Sequence, residues 1–209
     1  TNYETAVQDA NAIVDAVSDL YGFNMSGNYI RAKAVSLSHL WRFTDIVGAY
    51  DMFLGEANVN TDYLDILDFP VTLCHEIVHA KGYARESDAN IAAVIACISS
   101  PRPDFRYCGY YTIFMHMLPA VYEYSEASGE TVPAFASDPA FDMVRKDMAA
   151  YEEYVTRFEL GTASEVVSEV SESANNAFLE ANGQEGGTKT YRVPVDIYVE
   201  FYWQYVAEI

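Results

Sequence analysis

Apolar side chains recur at helical spacing along most of this chain. Between residues 4 and 20 they lie three or four positions apart, which predicts an amphipathic helix that ends at Tyr21-Gly22. Similar patterns, punctuated by Gly and Pro, predict six further helices, over residues 68–81, 86–98, 105–127, 138–159, 163–181 and 194–207. Helices therefore account for most of the predicted structure.

Two stretches in the first third of the chain have a different pattern. Residues 30–48 predict a short extended piece followed by a helical turn, and residues 50–60 predict an extended segment in which Gly55 is a candidate bulge. We therefore expect a predominantly α-helical α+β fold with one or two short strands near residues 29–60.

The length and composition are those of a single folded domain. The chain has 209 residues, of which 51% are hydrophobic, so it can bury a substantial core. We expect one domain, with a catalytic core at residues 30–130 and a helical part at residues 138–209. The three cysteines, Cys74, Cys97 and Cys108, lie in or next to apolar segments, and we interpret them as buried small hydrophobic residues.

The charge of the chain limits the kinds of partner that it can bind. There are 31 acidic and 12 basic residues, which give a formal net charge of −19, and no cluster of Lys and Arg offsets it. Such a surface repels the phosphates of nucleic acids and of anionic lipids. We therefore do not expect nucleic-acid binding.

The segment with the clearest chemistry is His75-Glu76-Ile77-Val78-His79, inside the predicted helix 68–81. Residues four apart lie on one face of a helix, so the two imidazoles can hold the same zinc ion. Glu76 lies about 100° further round the helix and can reach a water in the site without binding the metal. A carboxylate there can take the proton of that water during attack on a carbonyl. The motif predicts a hydrolytic zinc site with Glu76 as general base.

A pattern of five residues also occurs by chance, usually in exposed helices. Here apolar residues cover most of the helix circumference: Val71, Leu73, Cys74, Ile77 and Val78. The helix is therefore predicted to be buried, and burying two histidines and a glutamate without partners would cost several kcal/mol. The predicted burial favours a bound metal.

A catalytic zinc needs a third protein ligand and one open position. The segment after Gly82 resembles the gluzincin branch of the zincin metallopeptidases, in which a Glu in the next helix is the third ligand. In that branch an Asp or Asn four residues later supports a ligating histidine. Glu86 and Asn90 have this spacing, so Glu86 is the predicted ligand and Asn90 its supporting residue. Asp88 is the alternative ligand.

Longer stretches resemble an uncharacterised family of bacterial proteins. The similar segments are GEANVN at residues 55–60, PVTLCHEIVH at 70–79, residues 82–90, YCGY at 107–110 and FLEANGQ at 178–184. This family is catalogued only as a domain of unknown function, and its members are inferred to be zinc metallopeptidases with an N-terminal membrane anchor. They typically have Glu where Asp88 stands, which favours Glu86 as the ligand.

The resemblance implies a zincin-like fold with a small sheet beside the active-site helix. It also implies that Glu56 and Asn58 lie on an edge strand that pairs with an extended peptide substrate; an ordinary strand with a glycine bulge is the alternative. Tyr107 and Tyr110 are candidates for stabilising an oxyanion, although core packing is the commoner role of a tyrosine.

Two histidines lie outside the motif. His39 stands beside Leu40 and Trp41, and His116 lies in an apolar segment of the predicted helix 105–127. We interpret both as packed or surface histidines rather than ligands.

We therefore expect a zinc-dependent peptidase that acts on polypeptides. The chain opens at Thr1 rather than Met, and with the resemblance this leads us to expect a membrane anchor upstream and an extracytoplasmic catalytic domain. Two alternatives remain: a zinc hydrolase of a non-peptide amide, and a sensor or interaction domain in which the metal is structural.

Overall fold

The computed structural model describes residues 2–25, 27–36, 38–41, 46–51, 53–61, 66–130, 137–156, 170–173, 176–177, 180 and 195–205. Its elements are, in chain order, α1 (Tyr3–Tyr21), β1 (Lys33–Ala34), α2 (Ser38–Trp41), β2 (Gly48–Asp51), β3 (Glu56–Val59), α3 (Phe69–Ala80), α4 (Glu86–Ile98), α5 (Pro103–Ser128), a 3₁₀ turn (Pro139–Phe141), α6 (Asp142–Thr156) and α7 (Val195–Tyr205). The predicted mostly helical α+β class is confirmed.

Helix α3 lies at the centre of this arrangement. It contacts helices α1, α4 and α5 on some sides and strands β2 and β3 on another. Leu73, Ile77 and Val78 are fully buried in the main core, together with the apolar stripe of α1. Because neighbours cover α3 on several sides, its polar residues are also enclosed, as the apolar flanks of the motif predict.

The interpretation of the cysteines is confirmed. Cys74, Cys97 and Cys108 are free thiols and all three are buried. The Sγ atoms of Cys74 on α3 and Cys97 on α4 lie 3.8 Å apart, so they fill the contact between the two helices.

The predicted extended segment 50–60 is a hairpin rather than one continuous strand. Strands β2 and β3 pair antiparallel, from Gly48 opposite Val59 to Asp51 opposite Glu56. The turn between them is closed by Asp51, whose Oδ1 accepts hydrogen bonds from the main-chain N–H groups of Phe53 (2.9 Å) and Leu54 (3.1 Å). Acceptor side chains of this kind favour turns, and the turn makes three short strands instead of the predicted one or two.

Strand β3 is the central strand of the sheet, in the order β1-β3-β2. It pairs parallel with β1 on one side and antiparallel with β2 on the other. Ala57 and Val59 are fully buried towards the core, so by the alternation of side chains Glu56 and Asn58 point to the opposite face. The prediction that this segment is an edge strand next to the metal site is therefore corrected, and β2 is at the edge instead.

The remaining predicted helices match the structure where it describes them. The helices predicted over 4–20, 86–98 and 105–127 correspond to α1, α4 and α5, and those over 138–159 and 194–207 correspond to α6 and α7. Most of the helix predicted over 163–181 lies outside the described residues.

In the sequence, no stretch approaches the roughly 20 consecutive apolar residues that are needed to span a bilayer. Within the described ranges, no helix combines the length and the apolar character that crossing a membrane requires.

Candidate metal centre

Two helices bring three potential metal ligands together. His75 and His79 lie one turn apart on α3, and Glu86 is the first residue of α4. The Nε2 atoms of the two histidines are 2.9 Å apart, and Glu86 Oε2 lies 3.1 Å from Nε2 of His75 and 3.3 Å from Nε2 of His79. All three residues are buried. The structure thus brings together the three residues that the sequence predicts as ligands.

The spacing of these three donor atoms fits a zinc ion. Tetrahedral zinc with bonds of about 2.0–2.1 Å holds its ligand atoms about 3.3 Å apart. The observed separations of 2.9, 3.1 and 3.3 Å are close to this value. Two imidazoles and one carboxylate are also a ligand set of catalytic zinc sites. Among the residues that the structure describes, this is the one cluster of its kind.

The connection between α3 and α4 carries Glu86 to the histidines. Helix α3 ends at Ala80, and Gly82 has φ +107°, a conformation that residues with a Cβ rarely adopt. The N–H of Gly82 donates to the His79 carbonyl (2.9 Å), which tightens the turn. Glu86 then lies at the N-terminus of α4, where the helix dipole favours a negative charge.

The pKa values of the two acids at the site, Glu86 and Glu76, are shifted in opposite directions. Burial alone would raise the pKa of Glu86, but hydrogen bonds and charges from His75 and His79 outweigh it and lower that pKa to about 2. Burial raises the pKa of Glu76 to about 7; the two histidines lower it and Glu86 raises it. Glu86 is thus held as an anion, whereas Glu76 can gain or release a proton near neutral pH.

The Nδ1 atoms of the two histidines have different surroundings. Nδ1 of His79 lies 2.6 Å from the carbonyl oxygen of Tyr83, whereas Nδ1 of His75 is buried and has no hydrogen-bond partner. Desolvation lowers the pKa of His79, but interactions with Glu86, Glu76 and the Tyr83 carbonyl raise it above its usual value. A main-chain carbonyl therefore orients the ring of His79, and the supporting role of Asn90 stays a prediction.

Glu76 lies between the metal ligands and strand β2. Glu76 is 4% exposed, and its Oε2 atom has no hydrogen-bond partner. A Cβ built on Gly48 of β2 would lie 2.9 Å from Cδ of Glu76, so the strand backbone packs directly on the carboxylate. On the same face of β2, the ring of Tyr50 stacks on that of His79, with 6.4 Å between the centroids.

The other predicted site residues lie outside this cluster. Asp88, the alternative ligand, is not part of the group of three, and Ser87 Oγ donates to its Oδ1 at 3.4 Å. The Tyr107 hydroxyl donates to Asp147 on α6, and Tyr110 is 45% exposed. The oxyanion role of the two tyrosines stays a prediction.

The two predicted substrate-strand residues make contacts within the sheet. Glu56 forms an ion pair with Lys33 of β1. The Nδ2 of Asn58 donates to the carbonyls of Glu56 (3.1 Å) and Ala49 (3.4 Å). These contacts give both residues structural roles on the face opposite the metal cluster.

His116 is a packed histidine, as the sequence predicts. Its ring stacks on that of Tyr198, and its Nδ1 lies 3.3 Å from the Tyr198 hydroxyl. Burial lowers the pKa of His116. The side chain of His39 lies outside the described part of the structure.

Sequence reasoning missed three residues that shape the site: Gly48, Tyr50 and Tyr83. None belongs to the motif, and each reaches the cluster through tertiary packing or a main-chain group. A signal was present only for Tyr83, because it directly follows the Gly82 turn that returns the chain to the metal ligands.

Comparison with known proteins places the chain in a family without assigning it an activity. No curated protein and no solved structure matches it. The model of a family described as "Protein of unknown function (DUF3810)" matches residues 2–199, which is nearly the whole chain. The expectation of an uncharacterised family is confirmed, and this chain belongs to the DUF3810 family of proteins of unknown function.

Proposed function

We propose that this protein is a zinc-dependent peptidase. The observation that carries the proposal is the convergence of His75, His79 and Glu86 donor atoms within 3.3 Å of one another, beside the buried and unpartnered Oε2 of Glu76. In this account His75, His79 and Glu86 hold Zn²⁺, and Glu76 is the general base.

The number of ligands favours a catalytic over a structural metal. Structural zinc sites almost always have four protein ligands, whereas catalytic sites have three and keep one position open. The described part of the chain contributes three donors to the cluster. This count supports the enzyme over a sensor or interaction domain with a closed site.

Glu76 has the environment that a general base needs. When bound, zinc would lower the pKa of a water in the site from 15.7 to roughly 7. Glu76, whose Oε2 is buried and has no hydrogen-bond partner, then accepts the proton of that water. Its next task is to deliver the proton to the amine that leaves the cleaved peptide bond.

Strand β2 offers an edge for an extended peptide. The Asn60 N–H donates to the Val47 carbonyl across the hairpin (2.8 Å), so residues 47, 49 and 51 direct their main-chain groups at β3. Gly48 and Tyr50 direct theirs away from β3, to the side where no described strand pairs. Main-chain pairing with an extended segment is a common mode of peptide recognition, and here it would lie beside Glu76 and His79.

A zincin-like arrangement is the finer fold that we propose. The supporting features are an HExxH helix packed on a mixed sheet, an edge strand beside that helix, and a third ligand on the following helix. These are the elements that the zincin resemblance implies.

The metal is the first thing to test. After chelation and reconstitution with zinc, elemental analysis should find one zinc ion per chain, and His75→Ala should remove it. X-ray absorption of the loaded protein should give two imidazoles, one carboxylate and one water as ligands. A fourth protein ligand, or no bound zinc, would contradict the proposal.

The reaction is tested separately with a peptide mixture. Zinc-loaded protein incubated with a proteome-derived peptide library should create new peptide termini, detected by mass spectrometry, and the chelated protein should not. His75→Ala is the matched control for a contaminating protease. The protein could also bind zinc in the expected geometry, cleave no peptide and cleave a non-peptide amide. That result would contradict the peptidase proposal and favour the alternative hydrolase.

A further inference from the structure

A side chain at residue 48 would collide with the carboxylate end of Glu76. An ideal Cβ on Gly48 would lie 2.9 Å from both Cγ and Cδ of Glu76, and closer still to its Oε1. Real Cβ atoms essentially never approach other heavy atoms within 3.0 Å. As long as Glu76 keeps its present position, residue 48 must therefore be glycine.

Backbone conformation does not explain this glycine. The described glycines with positive φ are Gly22, Gly27, Gly55, Gly82 and Gly129, and Gly48 is not among them. It is the first residue of β2 and pairs in regular antiparallel register with Val59. Glycine weakens a strand unless close approach of another group requires it, so the requirement at residue 48 is one of space.

The helix and the strand that meet at this contact are both held in place by their surroundings. Glu76 is 4% exposed, and Ile77 and Val78 beside it on α3 are fully buried. Strand β2 is held by its antiparallel pairing with β3, and its Tyr50 ring lies against that of His79. A methyl group at residue 48 would therefore displace the Glu76 carboxylate rather than the helix or the strand.

We propose that Gly48 is a positioning residue that sets where the Glu76 carboxylate lies relative to the metal ligands. Because Gly48 has no side chain, the Glu76 carboxylate packs directly against the backbone of β2. The catalytic part of this inference depends on the function proposed above, whereas the contact itself does not. Adding a side chain at residue 48 changes the position of the general base and leaves His75, His79 and Glu86 in place.

A double-mutant cycle in the metal-free protein tests the contact without any assay of activity. Gly48→Ala should lower the melting temperature when Glu76 is present. In the Glu76→Asp background the carboxylate is one methylene shorter, so the same substitution should have little effect or a stabilising one. Residues in contact show such non-additivity. Ala49→Ser is the control, because it adds one heavy atom to the opposite face of β2.

Equal destabilisation by Gly48→Ala in both backgrounds would overturn the proposal, and so would no effect in either. The outcome does not depend on what the protein catalyses. If the wild-type protein cleaves no peptide, the function proposed above fails, and this cycle alone decides whether Gly48 positions Glu76.

Kinetics of the zinc-loaded protein separate positioning from a general loss of structure. Gly48→Ala should keep one zinc per chain and lower kcat on the order of 10²-fold, as a displacement of about 1 Å does, with KM nearly unchanged. Loss of zinc, or a rise in KM at constant kcat, would contradict positioning of the base. Ala49→Ser should retain the wild-type kcat and KM.

Discussion

Nδ1 of His79 lies 2.6 Å from the carbonyl oxygen of Tyr83. A carbonyl only accepts hydrogen bonds, so Nδ1 carries the proton of the neutral ring and Nε2 keeps its lone pair. That lone pair faces His75 and Glu86. The turn after α3 thus selects the tautomer of His79 that can bind a metal, a role that outer partners of ligating histidines commonly have.

The turn can be perturbed at Gly82. Its φ of +107° makes any residue with a Cβ strained, at a cost of about 1–3 kcal/mol. Gly82→Ala should shift both the Tyr83 carbonyl and Glu86, and weaken zinc binding by about 10–100-fold, measured by competition with a chelator. Gly129→Ala is a matched control, because Gly129 also has a positive φ, of +71°, at the end of α5. Equal zinc affinity in the two variants would contradict this role of the turn.

The identity of the third ligand is tested by comparing Glu86→Gln with Asp88→Asn. Glu86 Oε2 lies 3.1 and 3.3 Å from the two histidine nitrogens, whereas Asp88 is outside the cluster. Glu86→Gln should therefore weaken zinc binding by at least about 10–100-fold. Asp88→Asn should leave the affinity near the wild-type value in the same chelator titration. The reverse order would assign the third ligand to Asp88.

Stability of the metal-free protein should depend on pH through Glu76. Because its pKa is raised in the folded state to about 7, folding favours the protonated form. That contribution is fully present below the unfolded pKa of 4.5 and is lost as the pH rises through 7. Glu76→Gln keeps a neutral side chain throughout, so it should become more stable than the wild type as the pH rises from 5 to 8. The difference should be on the order of 3 kcal/mol.

The measurement is chemical denaturation of both metal-free proteins across this pH range. Glu123→Gln is the control, because it makes the same chemical change at an exposed position of α5. A pH-independent difference between Glu76→Gln and the wild type would show that burial does not raise the Glu76 pKa.

The ligand cluster was predictable because it depends on local geometry. His75 and His79 are four residues apart on one helix, and a glycine seven residues after His75 allows the chain to return with Glu86. Helical spacing and a tight turn determine such distances almost independently of the rest of the fold. For the same reason, the helices α1, α3, α4 and α5 were predicted with ends within two or three residues of those observed.

The rest of the site depends on contacts between distant segments, which a single sequence does not specify. Gly48 and Glu76 are in contact although they are 28 residues apart in the sequence. Strand β1 pairs parallel with β3 between residues that are 25 apart, Lys33 and Asn58. The prediction of an edge strand at residues 56–59 was wrong because that inference required knowing that β1 would pair there. The main-chain carbonyl that lies against Nδ1 of His79 has no sequence signature, and the supporting role of Asn90, which was chosen by spacing, stays a prediction.

The proposed peptidase activity is tested most directly by Glu76→Gln in the zinc-loaded protein. Glu76 lies next to the ligands, and no ligand role is assigned to it, so the variant should bind one zinc per chain with the wild-type affinity. It should lose peptide hydrolysis by about 10²–10⁴-fold, the usual contribution of a general base. Glu56→Gln, on the opposite face of the sheet, should keep both properties. Full hydrolysis by the Glu76→Gln protein would contradict the account.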